Sequence, residues 1–250
     1  YESKSRRAQL FVVDLATGKV LKTLDTGRGS MAEPNGLGGI KLLRDGNQMI
    51  TAAYAGDLHG NVWKFDLASE RAAEWKVSLG GRPLFTTADR RPVTAAPALV
   101  PHPRGGTMVL IGTGKLFESG DEKSRALESY YGLWDNGTLV QKQAQAGGTV
   151  QAAGWQWREG EPIALTTLVR RNQTLTQNGK LAYETDPTKV LNWATHRGWH
   201  IPLNMMSNRG LRTIAPPQMV SGMALFEAMT PVVEVDYVSN PCAELVNVPG

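Results

Sequence analysis

The sequence has little of what several classes of protein need. Its 250 residues include one cysteine, Cys242, so no disulfide can form within the chain. No apolar run approaches the roughly 20 residues of a membrane-spanning helix. The opening residues, YESK, include neither an initiator methionine nor the apolar segment of a signal peptide. We therefore expect a piece of a longer protein, without a transmembrane segment.

Charge is sparse and mixed. Charged residues make up 20 % of the chain, and the formal net charge is +4. The basic residues occur in scattered pairs such as Arg6-Arg7 and Arg90-Arg91, without a long basic run, so the sequence does not favour nucleic-acid binding. With 41 % apolar residues, 27 glycines and 14 prolines, the composition is typical of a globular chain with many tight turns.

What the chain does contain is a repeated phrase. Residues 8–18 read AQLFVVDLATG and residues 60–70 read GNVWKFDLASE, with the Asp-Leu-Ala step repeated 52 positions later. Residues 130–138 continue the pattern, with Trp-Asp in place of Phe-Asp, 69 positions further on because residues 116–127 are inserted. Repeats of this length that are made of strands are typical of β-propeller blades.

The strand pattern predicts the fold class. Alternating β-branched and aromatic residues between glycine-rich turns indicate strands as far as residue 138. Weaker strand signals follow at residues 163–169, 179–185, 193–203, 219–228 and 232–238. The sequence therefore predicts an all-β fold, part of a roughly seven-bladed β-propeller with about three to five blades in this chain. We expect one partial domain over 1–250, with blades near 8–39, 40–94 and 95–150 and the remainder in 151–250.

Three short patterns resemble binding motifs but lack a necessary part. Residues 27–32 fit G-x-G-x-x-A, but Pro34 prevents the helix that a dinucleotide site needs. Residues 112–115 end like a phosphate-binding loop, but the earlier glycine and the following serine or threonine are missing. His196 and His200 have the spacing of metal ligands on a helix, but the glycine and proline nearby favour a turn and a strand.

The aspartates do not form a catalytic arrangement. Asp57 opens an Asp-x-x-Gly turn, in which its carboxylate can accept hydrogen bonds from backbone N–H groups. Asp14 and Asp66 end equivalent strands, and a single active site has no need of periodic copies, so we interpret both as structural. No Ser-His-Asp arrangement is indicated. The sequence therefore predicts no catalytic residue.

The loop around Asp45 has the outline of a calcium-binding loop that has lost its ligands. Asp45 supplies the only carboxylate and Asn47 a side-chain amide, so these two residues are the calcium candidates. Positions that would hold further ligands are occupied by Lys41, Leu43 and Met49. We therefore expect no metal site in this loop and no cofactor.

A longer motif carries a family resemblance. Residues 53–67, AYAGDLHGNVWKFDL, resemble the YAGD-L-x-GN-x-W-x-FDL signature of the PilC/PilY family, the tip-associated proteins of type IV pili. Further segments that match in the family's order are 34–37, 111–115, 118–121, 131–137, 198–203 and 241–242. Arg212 stands where the family's ERV motif has its arginine, with Leu211 in place of the glutamate. The matches cover nearly the whole chain.

The resemblance implies part of the C-terminal β-propeller of an exported protein at the pilus tip, the cell surface or the outer membrane. The implied role is non-enzymatic. It comprises priming pilus assembly with minor pilins, opposing retraction, and supporting adhesion or twitching motility, with a host surface receptor as a further partner. Some family members carry an acidic calcium loop just before the signature. Because this loop is degenerate around Asp45, calcium control of retraction is not expected here.

Two functions are weighed against each other. A propeller that holds loops 27–39 and 114–128 in fixed positions would act by docking a partner, since binding residues tend to lie on loops of a rigid scaffold. The alternative is a quinoprotein-type dehydrogenase, whose propeller repeats carry a phrase that residues 10–18 fit. Such an enzyme needs calcium ligands beside the quinone and commonly a vicinal cysteine pair, which a single cysteine cannot supply.

Overall fold

The computed structural model describes residues 4–142, 154–175, 181–183, 190–203 and 210–231, which are built mainly of strands. In chain order the strands are β1 (Gln9–Val13), β2 (Val20–Asp25), β3 (Leu37–Arg44), β4 (Ile50–Asp57), β5 (Asn61–Asp66), β6 (Lys76–Val77), β7 (Phe85–Thr86), β8 (Ala98–Pro101), β9 (Thr107–Gly112), β10 (Ser129–Asp135), β11 (Thr138–Gln141), β12 (Trp155–Arg158), β13 (Leu168–Arg170), β14 (Gln173–Leu175), β15 (Leu181–Tyr183), β16 (Gly198–Pro202), β17 (Gln218–Val220) and β18 (Met223–Leu225). The helical segments are short turns at Ala72–Glu74, Ser78–Gly81, Ala88–Arg90, Asp121–Lys123 and Leu165–Thr167. Across these described ranges, no helix has the length and apolar character needed to span a membrane.

Two five-stranded sheets form the framework. The first has the order β3-β4-β5-β6, with β7 also pairing with β5, and its pairs are antiparallel. The second has the order β8-β9-β10-β16-β13, in which only the β13–β16 pair is parallel. Hairpins β1–β2, β11–β12, β14–β15 and β17–β18 form separate two-stranded sheets. Pairing in the second sheet thus extends past residue 150, and the division into blades stays a prediction.

The first sheet is packed on both faces because its two central strands alternate their side chains. On one face, Ala52, Tyr54 and Val62 belong to a buried cluster that also contains side chains of the second sheet. On the other face, a second buried cluster is shared with hairpin β1–β2 and includes Ala53, Ala55, Trp63 and Phe65. The three sheets are therefore stacked face to face, with the first sheet in the middle.

In both large sheets, the chain that leaves the sheet crosses back over the end of one of its strands, β4 in the first sheet and β9 in the second. The N–H of Val93 donates to the carbonyl of Asp57 at 3.0 Å, and the N–H of Thr213 donates to the carbonyl of Thr113 at 3.0 Å. A Cβ at Gly56 would collide with Val93, and a Cβ at Gly112 would collide with Thr213, so both crossings require glycine. Hairpin β17–β18 follows Thr213 as β8–β9 follows Val93.

The predicted strands match the structure closely in the first half of the chain and less closely afterwards. The strand expected at 193–203 is a turn followed by β16, and the one expected at 219–228 is the short hairpin β17–β18. The signal at 163–169 corresponds to a helical turn and the start of β13. Of the signal at 179–185, only β15 lies within the described residues, and the signal at 232–238 lies outside them, as does Cys242.

Candidate functional site

The signature motif places a fully buried carboxylate at the end of β4. Oδ1 of Asp57 accepts hydrogen bonds from the N–H groups of His59 and Asn61, each at 2.9 Å. Oδ2 accepts from the side-chain amides of Asn35 and Asn61 and from the indole of Trp63, at 2.9–3.0 Å. All five donors are neutral. The prediction that Asp57 holds its turn through backbone N–H groups is confirmed, and the side-chain donors were not foreseen.

Asn35 connects the preceding loop to this carboxylate. Its side chain is fully buried, and its Oδ1 accepts hydrogen bonds from the N–H groups of Gly36 and Leu58 at 2.9 and 3.1 Å. The ring of His59 also contacts the carbonyl of Pro34 at 3.0 Å. The predicted docking loop 27–39 is therefore fixed at its end, and its exposed part lies before Pro34.

A second buried carboxylate, Asp135 at the end of β10, joins the two large sheets. Its Oδ2 accepts from the ammonium of Lys64 and from the hydroxyl of Tyr54, each at 2.7 Å. The side chains of Lys64 and Asp135 are 1 % and 2 % exposed, and the Lys64 ammonium lies 3.5 Å from the ring centroid of Trp157. The first sheet thus contributes a cation and a hydroxyl to an anion of the second.

Burial and pairing act in opposite directions on Asp135. Burial raises the pKa of its carboxyl group, but the charge of Lys64 and the hydrogen bonds from Lys64 and Tyr54 outweigh burial, so the pKa of Asp135 lies below its ordinary value. Burial, with the adjacent carboxylate as a second cause, raises the pKa of Tyr54 well above its ordinary value. The carboxyl group of Asp135 is therefore ionised at neutral pH, and the phenol of Tyr54 beside it is neutral.

The repeated aspartates have the same local role. Oδ1 of Asp14 accepts from the N–H of Thr17 at 2.8 Å, Oδ1 of Asp66 from the N–H of Ala68 at 3.0 Å, and Oδ1 of Asp135 from the N–H of Gly137 at 2.9 Å. The interpretation of Asp14 and Asp66 as structural is confirmed by these turn contacts. Asp135 has the inter-sheet ion pair in addition.

Arg212 forms the centre of the insertion loop 114–128. The residue is 3 % exposed, and its guanidinium donates to the carbonyls of Lys115 (2.9 Å), Asp121 (2.6 Å), Ser124 (2.8 Å) and Gly210 (2.9 Å). Because five fixed donors in a planar group can satisfy several carbonyls at once, an arginine suits this position. Arg212 therefore holds the loop from inside rather than acting at the surface.

Side chains of the loop add further constraints. Oδ2 of Asp121 accepts from the N–H groups of Phe117 and Glu118 at 3.1 and 3.0 Å. At the end of the loop, Glu128 pairs with Arg91 at 2.6 Å. The loop is thus held by the Arg212 guanidinium, by the Asp121 carboxylate and by the ion pair between Arg91 and Glu128.

The outer surface of loop 114–128 is mixed in character. Two of its apolar side chains are exposed, Phe117 by 38 % and Leu127 by 42 %. Glu118, Lys123 and Arg125 are exposed beside them and carry both signs of charge. Apolar groups surrounded by charges on a fixed backbone are typical of a protein-docking surface.

The calcium candidates lie in a tight hairpin turn between β3 and β4. Oδ1 of Asp45 accepts from the N–H groups of Asn47 and Met49, each at 2.9 Å, so the carboxylate closes its own turn. Within the described part of the chain, no cluster of histidine, cysteine or acidic residues could hold a metal ion. The expectation that Asp45 and Asn47 bind no calcium stays a prediction.

The two histidines with metal-ligand spacing have other roles. Nδ1 of His196 accepts from the N–H of Asn192 at 2.9 Å in a turn, and the ring of His200 in β16 stacks on Tyr131 with centroids 5.7 Å apart. The turn and strand predicted for this segment are therefore found.

Sequence reasoning missed the ion pair between the sheets. Lys64 and Asp135 are 71 positions apart, and no local pattern links them. One signal was available, because Lys64 lies between Trp63 and Phe65 in a strand where every residue is buried. A lysine in such a strand requires a buried anion.

A family model described as the PilY1 beta-propeller domain matches residues 1–159. The chain is 28 % identical to a type IV pilus biogenesis factor PilY1 homolog of Xylella fastidiosa over 96 % of this chain and 16 % of that protein. It is 38 % identical to type IV pilus biogenesis factor PilY1 of Pseudomonas aeruginosa strain PAO1, over 55 % of this chain and 14 % of that protein. The chain thus spans less than a fifth of the length of these curated relatives.

A solved structure is also similar. The crystal structure of the Pseudomonas aeruginosa PilY1 C-terminal domain superposes with a TM-score of 0.71 at 28 % sequence identity. The match covers 92 % of this chain and 51 % of that one. The arrangement of stacked sheets therefore has a counterpart among experimental structures.

Proposed function

The chain belongs to the PilY1 β-propeller family, and from this we propose that it is a non-enzymatic part of a type IV pilus tip that docks minor pilins. In this role it primes pilus assembly, opposes retraction, and supports adhesion or twitching motility. The protein is exported and located at the pilus tip, the cell surface or the outer membrane. A host surface receptor is a further partner in this proposal.

Family membership confirms three predictions made from the sequence. The resemblance to the PilC/PilY family and the β-propeller fold are both confirmed by the family model and the solved structure. The family consists of pilus biogenesis factors and is not a family of enzymes, which confirms the prediction that the chain is not an enzyme. It also favours the pilus role over the quinoprotein-type dehydrogenase.

The observation that supports docking is the fixed backbone of loop 114–128. Four carbonyl groups bind the buried Arg212 guanidinium, three of them in this loop, while Phe117 and Leu127 remain exposed. A loop that is already ordered loses little conformational entropy when it binds. We expect these exposed side chains to contact a minor pilin.

The test is capture of minor pilins by the full-length protein. The double variant Phe117→Ser/Leu127→Ser should reduce capture by about tenfold or more, since exposed apolar anchors dominate docking energies. Leu15→Ser is the matched control, because Leu15 is fully exposed on hairpin β1–β2 and should leave capture unchanged. Capture by the loop variant at the wild-type level would contradict the proposal.

Arg212→Lys provides a second arm of the same test. A lysine ammonium cannot reach all four carbonyls, so the loop should lose order while its surface side chains are retained. We expect weaker capture than in the wild type and faster amide exchange between residues 114 and 128. Weaker capture without faster exchange would show that Arg212 does not act through the loop.

A further inference from the structure

A cleft separates the outer edge of the first sheet from hairpin β11–β12. It has a volume of about 380 Å³ and continues into a second groove of about 580 Å³ along the hairpin. The residues that line it and enter the argument below are Asp66, Glu74, Lys76, Lys142 and Trp155. A volume of this size is within the roughly 300–1,000 Å³ of small-molecule sites. No residue of loop 114–128 lines this cleft.

The indole of Trp155 is the largest apolar surface in the cleft. Trp155 and Trp157 are two positions apart in β12, so their side chains lie on the same face of the hairpin. Trp157 faces the core, where its indole donates to the carbonyl of Thr51 at 2.9 Å and covers Lys64. Trp155 continues this face beyond the core and is 38 % exposed. Its backbone is held by pairing with Gln141.

Several charged groups around the indole are paired with one another. Two carboxylates, Asp66 and Glu74, and two ammonium groups, Lys76 and Lys142, line the cleft. Glu74 forms ion pairs with both Lys142, at 2.8 Å, and Arg71. Because these charges are satisfied within the protein, the cleft favours a neutral ligand with many hydrogen-bonding groups over a highly charged one.

We propose that this cleft binds a neutral pyranose residue of a glycan. One face of a pyranose consists of C–H groups, whose weak positive charge complements the negative face of an indole. Its hydroxyl groups both donate and accept, so they can pair with Asp66 as acceptor and with Lys76 as donor. The stacking platform is Trp155.

The cleft is open, so each site binds weakly and gains strength through multivalency. A Kd on the order of 1 mM for one sugar is expected for a shallow site, and several sites on one cell would raise the overall affinity. The biological role of the site rests on the adhesion part of the proposed function. Binding of the sugar does not depend on pilin docking.

The first experiment is saturation-transfer NMR with the full-length protein and the methyl glycosides of glucose, galactose, mannose and N-acetylglucosamine. We expect transfer mainly to the C–H protons of one pyranose face. Trp155→Ala should reduce the transfer by about tenfold, whereas Trp155→Phe should retain much of it because it keeps an aromatic face. Phe11→Ala is the matched control, since Phe11 is an exposed aromatic residue of hairpin β1–β2 and does not line the cleft.

The outcomes separate this proposal from the proposed function. Transfer that is absent in the wild type, or equal in the wild type and Trp155→Ala, would overturn it. If Trp155→Ala lowers the unfolding temperature, Lys76→Ala replaces it and should weaken binding several-fold, because Lys76 is exposed and lines the cleft. Minor-pilin capture should be unaffected by Trp155→Ala. An array carrying mammalian glycans and bacterial polysaccharides then distinguishes the two sources of the sugar.

Discussion

Asp57 and Asp135 are both buried at strand ends, yet they are stabilised in different ways. Asp57 is surrounded by neutral donors from its own sheet and from the loop that precedes that sheet. Asp135 relies on Lys64 and Tyr54, which belong to the neighbouring sheet. The first carboxylate therefore fixes a local turn, and the second fixes the position of one sheet against the next. Variants that remove each partner test this distinction.

The largest effect is expected from Lys64→Met. It leaves the carboxylate of Asp135 buried without its cation, which costs about 3–5 kcal/mol of the free energy of unfolding. The double variant Lys64→Met/Asp135→Leu removes both charges and should recover part of this loss, because the Tyr54 hydroxyl and the N–H of Gly137 still lose their acceptor. Urea denaturation of the three proteins, followed by tryptophan fluorescence, gives the comparison. If the single and double variants had the same free energy of unfolding, the ion pair would not contribute to holding the two sheets together.

Asp57→Asn should have a smaller effect, about 2 kcal/mol, because it replaces one acceptor oxygen with an amide NH2 group that faces buried N–H donors. The matched control is Asp66→Asn, because the contact described for Asp66 is one hydrogen bond from the backbone N–H of Ala68. Thermal unfolding of both variants measures the difference. Equal unfolding temperatures would show that the side-chain donors around Asp57 contribute no more than a turn contact does.

The pH dependence of stability should also test the ion pair of Asp135. Because the folded pKa of Asp135 lies below its ordinary value of 3.8, its contribution to stability is complete above pH 3.8 and is lost as the pH falls through the folded pKa. Below pH 3.8, the double variant Lys64→Met/Asp135→Leu should therefore lose stability less steeply than the wild type. Denaturant midpoints measured between pH 2 and 6 check this slope. Identical slopes would contradict the ion-pair assignment.

Asp45→Ala should have the smallest effect. Asp45 closes a partly exposed turn, so its loss should cost about 1 kcal/mol or less. Calcium should produce no heat of tight binding in either the wild type or the variant by titration calorimetry. Micromolar binding that disappears in Asp45→Ala would contradict the expectation that this loop holds no metal.

The sequence predicted local structure better than long-range pairing. The Asp-Leu-Ala repeat placed β1 and β5, and the Asp-Gly step placed the turn between β3 and β4, because each depends on adjacent residues. The strand beside β10 could not be predicted, since β16 follows a long excursion that contains two further hairpins. The partners of Lys64 and Arg212 were missed for the same reason. Both bind groups more than 70 positions away.

The candidate docking surface was predicted only as two loops. Loop 114–128 could be recognised as an insertion from the stretched repeat, but nothing nearby in sequence indicated that Arg212 holds it. Loop 27–39 could be recognised from its glycines, but the burial of Asn35 depends on the carboxylate of Asp57. Which side chains contact a partner remains a prediction, since contacts depend on a surface that the chain alone does not specify.

The crossings at Gly56 and Gly112 have a mechanical consequence. The strand linkers at Val93 and Thr213 bind back to the sheet they have just left. A force that pulls neighbouring sheets apart would have to break these backbone hydrogen bonds, which the close approach at Gly56 and Gly112 allows, before a strand could separate. Tension along the chain would then be shared between adjacent sheets.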